Sequence, residues 1–365
     1  MELSKILDNE MEKYNNKRVS VILNNEAELK ELYQNILFQN GLSLDKNRKI
    51  FKDNIIENIL SIKEAERKNH MIVSFALGLY LSSFLNLGQI ISKYYDEQTK
   101  GQMKNSFYNV WSLLSLLHDI GYCDGKEELT DEKIDAIFNK KPIKTEKNTY
   151  NIKINAIIIY NDSHYSATFN YDKEKDFSSY RFDVKTYKAY NKWRREENAE
   201  NKSDHGIFGG YWLFSSFLRT RSILDSLENN KEDYKTYLLY DLAYKIMDHN
   251  IWKANDKNIS DYEKNGLFNL VGDNYKKIDI NEPLLYLLCL TDTIEMIKKF
   301  NDINLLKDCS ITVDNNIITI SYKEKLRTNK EFSFWIESIK SMTEWMFVKV
   351  EEQKNTIIIS YPEKK

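Results

Sequence analysis

The sequence predicts a mainly α-helical protein that carries a β-containing insertion and a small C-terminal α+β unit of ββαββ order. Only three prolines occur among the 365 residues, so long helices can run without interruption. Apolar residues recur at the spacing of one helical stripe in several segments, as Leu29, Leu32 and Ile36 do. Alternating, β-branched stretches, which are typical of strands, are confined to one central and one C-terminal part of the chain.

Helical periodicity governs the first third of the sequence. It predicts an N-terminal helical segment over residues 1–65, a largely apolar helix over 66–94 and another helix over 103–120. The last two are apolar over much of their circumference, which is expected of helices at the centre of a helical domain.

Further helices follow the central insertion. They resume at Ser203, which is a suitable N-cap residue. Two more are predicted over about 232–248 and 283–300, and Pro283 stands near the start of the second, a position that proline favours. Residues 66–300 are therefore predicted to form one helical domain around the insertion.

The insertion runs from about residue 125 to residue 201. Residues 151–161 alternate and are rich in β-branched side chains, which predicts a strand. Residues 165–171 are expected to pair with it across the turn-prone sequence Asn161-Asp162-Ser163. This pattern differs from that of the helices on either side.

The last part of the chain, residues 308–365, shows a second change of pattern. Two pairs of alternating segments flank one helical segment, and the first pair encloses Asp314-Asn315-Asn316, a hairpin signal. The predicted elements are strands at 310–314 and 316–322, a helix at 330–346, and strands at 347–351 and 356–361. Together they predict a separate small α+β domain.

Charge and cysteine content argue against several classes of function. With 53 basic and 55 acidic residues the net charge is -2, so no global basic field attracts nucleic acid, which is a disfavoured partner. The three cysteines, Cys123, Cys289 and Cys309, show no CxxC spacing. Their pattern argues against a disulfide framework and against a thiolate zinc site.

No targeting or membrane segment is predicted. The N-terminal residues are charged and lack the apolar core of a signal peptide. The longest apolar stretch, residues 71–87, contains serine and glycine and fits a buried helix better than a membrane span. We therefore expect a cytoplasmic protein with no membrane partner.

The most informative feature of the sequence is the adjacent pair His118 and Asp119, which ends an apolar helix just before Gly121. Three of the other four histidines also lie on segments predicted to be helical. Asp292 is a carboxylate within an apolar helix, where it requires a partner. The candidate metal ligands are His70, His118, Asp119, His205, His249 and Asp292.

Some of these residues could have a role other than metal binding. His70 taken alone could be a buried core histidine, and His249 could cap the end of its helix. Glu295, one turn after Asp292, could take the role of that aspartate. The fifth histidine, His164, lies in a turn of the insertion and is assigned to a surface loop.

The ligand types indicate the metal and its chemistry. Imidazole and carboxylate without thiolate favour iron, manganese, zinc or magnesium. Adjacent residues on a helix point about 100° apart, so His118 can bind one ion while the Asp119 carboxylate reaches a second. A hydroxide held between two ions can attack phosphorus, which makes Asp119 the catalytic candidate. The expected ligands of one divalent ion are His70, His118, Asp119 and Asp292, and those of the other are Asp119, His205 and His249.

The order of these residues resembles that of the HD-domain superfamily of metal-dependent phosphohydrolases. Residues 118–121 match the His-Asp-Ile-Gly form of its signature, and His205-Gly206 followed by Gly209-Gly210 is similar to a motif of many members. The resemblance covers about residues 66–300. It implies an HD-type helical core that hydrolyses a phosphoester or phosphoanhydride bond, in a nucleotide or cyclic nucleotide, at a binuclear metal site.

The chain departs from two branches of this superfamily. Tyr122 stands where the HD-GYP branch, which cleaves cyclic di-GMP, usually has a lysine, and no Gly-Tyr-Pro follows. The proline-containing run of the dNTP triphosphohydrolases is also absent, so no subfamily is assigned. The ligand pattern is shared with a diiron oxygenase branch that resembles myo-inositol oxygenase, which is the first alternative. A regulatory or binding HD module is the second.

Five further residues are weaker candidates for binding the substrate, which is expected to be a phosphorylated small molecule or a nucleotide. Cationic side chains suit phosphate oxygens, and an aromatic ring suits a nucleobase. A solvated surface charge or a pocket wall is the competing interpretation for each. The candidates are Lys245, Arg194, Arg195, Lys253 and Tyr122.

Overall fold

The computed structural model describes residues 2–39, 65–98, 103, 106–122, 129–138, 181–197, 204–213, 234–251, 259–271, 275–296 and 306–362. The described chain is mainly α-helical, with one four-stranded antiparallel sheet near the C-terminus. The predicted fold class is confirmed at this level. The strands expected at 151–161 and 165–171 lie outside the described residues.

The N-terminal segment is helical, as predicted, over the part that is described. Helix α1 spans Leu3–Asn15, α2 spans Val19–Leu23 and α3 spans Glu26–Gln39. Helix α1 ends where Asn16 adopts a left-handed conformation and its N–H bonds to the carbonyl of Glu12. These helices bury an apolar stripe against the rest of the chain, because every third or fourth side chain faces the core.

The predicted single helix over 66–94 is wrong. The structure has α4 (Ala65–Leu81), a 3-10 turn (Phe84–Asn86) and α5 (Leu87–Gln98), and the two arms are bent by 93°. Leu85 and Asn86 have φ of 53° and 56°. The N–H of Leu85 bonds to the carbonyl of Asn315 in the C-terminal hairpin at 2.7 Å. This tertiary contact accompanies the break, and local periodicity could not reveal it.

Helix α6 (Ser106–Leu117) is the buried centre of the helical part, and its Trp111 fixes the contact with α4. The indole N–H donates to the carbonyl of Phe75 at 3.0 Å. A Cβ built on Gly78 would lie only 1.9 Å from Cζ2 of Trp111. The absence of a side chain at Gly78 therefore lets α4 and α6 approach closely.

The predicted insertion contains two helices that sequence reasoning missed, α7 (Asp131–Phe138) and α8 (Val184–Glu197). Residues 205–213 are also helical, and the side chain of Asp204 caps them; Ser203, the predicted cap, lies outside the described residues. Oδ1 of Asp204 accepts hydrogen bonds from the N–H groups of Gly206 and Ile207 at 2.9 and 3.1 Å.

Three more helices complete the described helical part. They are α9 (Tyr234–Asp248), α10 (Ile259–Lys264) and α11 (Pro283–Ile294). Helix α11 starts at its proline, as predicted, but it does not run to residue 300. It ends at Ile294 because Glu295 is extended, with ψ of 132°.

The C-terminal elements follow the predicted ββαββ order. They are β1 (Cys309–Asp314), β2 (Ile317–Tyr322), α12 (Lys330–Trp345), β3 (Lys349–Gln353) and β4 (Thr356–Ser360). All neighbouring strands are antiparallel, in the order β1-β2-β4-β3. Buried isoleucines pair across the central strands, Ile318 with Ile359 and Ile320 with Ile357, which fixes the register.

This sheet and helix α12 pack on the helical part, and hydrogen bonds connect the two. The indole N–H of Trp335 donates to the carbonyl of Ile294 at 3.1 Å, and the hydroxyl of Tyr361 donates to Asp279 at 2.6 Å. The apolar core is continuous across this contact. The proposed domain limits at 65, 300 and 308 stay predictions.

The lengths of the helices bear on membrane insertion. No single helix among the described residues is both long and apolar enough to cross a bilayer. One bent pair, 67–81 with 84–97, meets the criteria of length and composition when its two arms are taken together.

Substitution of Gly78 tests the close contact of α4 with α6. We expect Gly78→Ala to lower the free energy of unfolding by about 1–3 kcal/mol, since the new methyl group must displace the indole of Trp111. Urea denaturation measures it. Gly88→Ala is the matched control, because its Cβ would meet only Ser82, at 3.3 Å. Equal effects of the two substitutions would contradict the proposed role of the contact.

Candidate metal centre

The six predicted ligands converge from five helical elements of the fold. His70 lies in the second turn of α4, and Asp292 lies in the last turn of α11. The others lie at helix ends: His118 and Asp119 follow α6, His205 starts the helical residues 205–213, and His249 follows α9. All six side chains are buried, with exposed fractions from 0% to 9%.

One group of ligand atoms comprises His70, His118 and Asp292. Nε2 of His70 lies 3.0 Å from Nε2 of His118 and 2.9 Å from Oδ1 of Asp292. Nε2 of His118 lies 3.6 Å from the same oxygen. The three atoms lie within 4.8 Å of one another, so together they could hold one metal ion.

A second group comprises Asp119, His205 and His249. Oδ1 of Asp119 lies 3.4 Å from Nε2 of His205 and 4.0 Å from Nε2 of His249. These atoms also lie within 4.8 Å of one another and could hold another metal ion. Two buried groups of histidine and aspartate thus stand side by side.

Asp119 connects the two groups. Its Oδ1 faces the second group and lies 3.9 Å from Nε2 of His118, while its Oδ2 lies 3.7 Å from Nε2 of His70. A carboxylate can bind two cations through its two oxygens, whereas an imidazole cannot. The position of Asp119 is therefore the one expected for a bridging ligand.

Hydrogen bonds fix the tautomer of three of the four histidines. Nδ1 of His118 lies 2.6 Å from the carbonyl of Ser115, and Nδ1 of His249 lies 2.5 Å from that of Ile246. Nδ1 of His70 lies 2.5 Å from the carboxylate of Glu295. Because these oxygens only accept, each Nδ1 carries the proton and each Nε2 offers a lone pair to the centre.

This arrangement fits a cation. With both protons on Nδ1, the Nε2 lone pairs of His70 and His118 face each other at 3.0 Å and repel. A divalent ion bound by both nitrogens and by Asp292 replaces this repulsion with attraction. Burial, with His118 nearby, lowers the pKa of His249 to about 4. The imidazole of His249 is therefore neutral at pH 7, as a ligand must be.

Two glycines allow the helices to approach at this centre. A Cβ on Gly121 would lie 1.9 Å from the carbonyl oxygen of His205. A Cβ on Gly210 would lie 2.6 Å from the carbonyl oxygen of Ala243 in α9. Backbone therefore occupies the space that a side chain would need, and this holds His205 close to Asp119.

His205 is oriented differently from the other histidines. Its Nδ1 lies 3.4 Å from the amide nitrogen of Asn250, which donates to the buried Asp204 at 2.6 Å. Arg194, one of the predicted phosphate-binding residues, has Nε 3.7 Å from Oδ2 of Asp204. Arg194 is thus connected to His205 through Asp204 and Asn250.

The remaining substrate-binding candidates have different positions. Lys245 is buried, with Nζ 3.5 Å from Oδ1 of Asp241. Burial alone would lower the pKa of Lys245, but Asp241 and Asp248 outweigh it and the pKa is raised. The lysine therefore stays charged and is engaged by acids. Arg195 is half-buried on α8, and Lys253 lies outside the described residues.

Sequence reasoning missed Arg67, which lies beside the two groups of candidate metal ligands. Its Nη1 lies 3.4 Å from Oδ2 of Asp119, and its guanidinium carbon lies 4.0 Å from the centroid of the Tyr122 ring. Tyr122 stacks on His205, with centroids 4.3 Å apart. Arg67 precedes His70 by three residues and so shares its helical face, the one signal that could have identified it.

Glu295 was considered in the sequence only as a replacement for Asp292. The structure brings both carboxylates to His70, at opposite nitrogens: Asp292 faces Nε2 and Glu295 faces Nδ1. Glu295 is therefore a supporting acceptor that orients the imidazole ring. Its position after the end of α11 could not be read from helical periodicity.

Comparison with known proteins identified no relative. No protein-family model, no curated protein and no solved structure matches the chain. The interpretation of this centre therefore depends on the geometry of its buried side chains.

Replacement of Glu295 tests the orientation of His70. We expect Glu295→Gln to weaken metal binding by about 10–100-fold, because a carboxylate acceptor at Nδ1 makes the histidine a stronger ligand. Competition with a chromophoric chelator measures the affinity. Glu344→Gln, on the exposed face of α12, is the matched control. An affinity equal to that of the wild type would rule out this role for Glu295.

Proposed function

We propose that the chain is a metal-dependent phosphohydrolase with a binuclear centre of the HD type. The substrate is a phosphoester or phosphoanhydride, in a nucleotide or a cyclic nucleotide. The observation that carries the proposal is the buried Asp119 carboxylate, whose oxygens face two separate groups of histidine nitrogens. The order of the ligands along residues 66–300 is a further support for the HD type.

The residues present suit two divalent ions. His70, His118, Asp119 and Asp292 would bind one ion, and Asp119, His205 and His249 would bind the other. Manganese, iron, magnesium and zinc all accept imidazole with carboxylate. When bound, such a pair of cations acidifies water and neutralises the charge that develops on a phosphoryl group.

The chain itself contributes groups that hold the substrate and exclude water. Arg67 reaches the centre beside Asp119, and one fifth of its side chain is exposed, so it can meet a substrate that enters from solvent. Its planar guanidinium suits phosphate oxygens. The ring of Tyr122 stacks on His205 and also contacts the guanidinium of Arg67. The net charge of -2 favours a small phosphorylated substrate over nucleic acid.

Removal of the bridging carboxylate tests the function directly. We expect the wild type to hold two equivalents of metal and to release phosphate or a nucleoside product in a screen of nucleotides and cyclic nucleotides with manganese. Asp119→Asn should lose metal, since the amide cannot carry the charge that two cations require, and its turnover should fall by about a thousandfold or more. Elemental analysis and phosphate release measure both effects.

The screen also separates the alternatives. Hydrolysis is screened without oxygen, and oxygen uptake is measured in a parallel aerobic assay, because a diiron oxygenase consumes O2 and a hydrolase does not. Asp183→Asn, which alters a carboxylate that accepts a bond from the N–H of Thr186 in the first turn of α8, is the matched control. Two irons with oxygen uptake and no hydrolysis would replace the proposal by the oxygenase. If the wild-type protein contains no metal and still binds a partner or ligand, a binding module would replace the proposed hydrolase.

Arg67 offers a prediction about substrate binding. We expect Arg67→Lys to raise KM by about tenfold or more, because lysine keeps the charge but not the paired donors for phosphate oxygens. Metal content should remain at the wild-type level, since Arg67 is not a ligand. Steady-state kinetics and elemental analysis test this. Arg18→Lys is the control, because that arginine pairs with Glu12 on the exposed surface, and an equal KM in both variants would exclude the role.

A further inference from the structure

A second group of buried polar side chains surrounds Arg181, just before α8. The side chain of Arg181 is 6% exposed, and its Nη1 pairs with Glu282 at the start of α11. The N–H groups of Arg181 and Phe182 donate to the hydroxyl of Tyr187 at 3.2 and 3.3 Å. That hydroxyl donates in turn to Oδ1 of Asp248. Arg181 and Asp248 are thus held on two sides of one tyrosine hydroxyl.

Several polar atoms of this group lack a hydrogen-bonding partner among the residues that the structure describes. They are Nε and Nη2 of Arg181, the hydroxyl of Tyr275 and Oδ2 of Asp248, and all are buried. The guanidinium carbon lies 5.6 Å from the centroid of the Tyr275 ring. Buried polar atoms are nearly always hydrogen-bonded, and a guanidinium is especially unfavourable without acceptors. A bound molecule with acceptors and a donor would satisfy these atoms.

The donors and acceptors define the chemistry of that molecule. Nε and Nη2 lie on one edge of the guanidinium and donate in parallel, which matches two oxygens of one oxyanion. The hydroxyl of Tyr275 can supply a further donor. Oδ2 of Asp248 requires a donor in return, such as a hydroxyl group. Arg181 brings a positive charge to this cluster, which disfavours a metal ion.

Two aromatic rings and a partly exposed glutamate border the arginine. The rings of Phe182 and Tyr275 are stacked, with centroids 6.3 Å apart, and Arg181 lies against both. The side chain of Glu282, which pairs with Arg181, is 24% exposed. The group therefore adjoins a side chain that is partly in contact with solvent.

We propose that Arg181, Tyr275 and Asp248 bind a small oxyanion that carries a hydroxyl group. A protonated phosphate and a hydroxy carboxylate share this chemistry. The site contains none of the six candidate metal ligands, so this proposal does not depend on the proposed hydrolysis.

Isothermal titration of the full-length chain tests the proposal. The protein, with its metal retained, is titrated with inorganic phosphate and with glycolate, and binding at the metal centre is recognised as the part that Arg181→Lys and Tyr275→Phe leave unchanged. We expect at least one of the two anions to bind with one equivalent that depends on Arg181 and Tyr275. Arg181→Lys should weaken binding by about tenfold or more. Lysine can still pair with Glu282, but it lacks the pair of N–H donors that Nε and Nη2 of the arginine provide. Tyr275→Phe should weaken it by about fivefold through loss of one donor.

Arg327→Lys is the matched control for Arg181→Lys. Arg327 also pairs with a glutamate, Glu352, at 3.5 Å and also lies near a tyrosine ring, that of Tyr322, at 5.8 Å. Its affinity for either anion should equal that of the wild type. If Arg181→Lys does not fold, as judged by circular dichroism, Tyr275→Phe still decides the question, since it removes a single oxygen atom.

The anion that binds identifies the source of the oxyanion. Binding of phosphate alone assigns the site to a phosphoryl group, and binding of glycolate alone assigns it to a hydroxy carboxylate. Binding of neither, or an affinity that stays unchanged in Tyr275→Phe and in every folded Arg181 variant, would overturn the proposal.

Discussion

Burial of the Asp119 carboxylate among imidazole rings is the constraint on which the rest of the described structure depends. A carboxylate without exposure to solvent is strongly destabilising unless opposite charge and hydrogen-bond donors compensate it. Compensation by cations requires neutral imidazoles at close range, which in turn requires helices that nearly touch. Gly121, against the carbonyl of His205, and Gly210, against α9, provide this closeness. The close packing of the helices is thus a condition for the chemistry of the centre.

Helix ends solve a second difficulty, the orientation of the ligands. The last carbonyls of a helix have no partner within it. His118 and His249 each follow a helix and donate from Nδ1 to the carbonyl three residues earlier, that of Ser115 in α6 and that of Ile246 in α9. One hydrogen bond satisfies a terminal carbonyl and also turns Nε2 towards the centre. The same local geometry therefore occurs twice, on helices that are distant in sequence.

The sequence predicted which buried histidines and aspartates come together better than it predicted the elements that carry them. His118 and Asp119 were recognisable because a charged pair inside an apolar run has few purely structural roles. The bend at Leu85 was not predictable, since it involves a bond to Asn315, far along the chain. Arg67 was not singled out, and Glu295 was considered only as a replacement for Asp292, because their positions come from contacts with Asp119 and His70 that leave no periodic signal. The ββαββ order was predictable because alternation and turn residues are local.

The end of α9 carries one residue from each of two buried polar groups. Asp248 and His249 are consecutive and so point in different directions: Asp248 bonds to Tyr187 near Arg181, whereas His249 faces Asp119. Burial raises the pKa of Asp248 to about 7, and burial lowers the pKa of His249 to about 4. Desolvation thus moves both residues towards their neutral forms, although one is an acid and the other a base. Adjacent residues at one helix end thus belong to two different groups, Asp248 to that of Arg181 and His249 to the candidate metal centre.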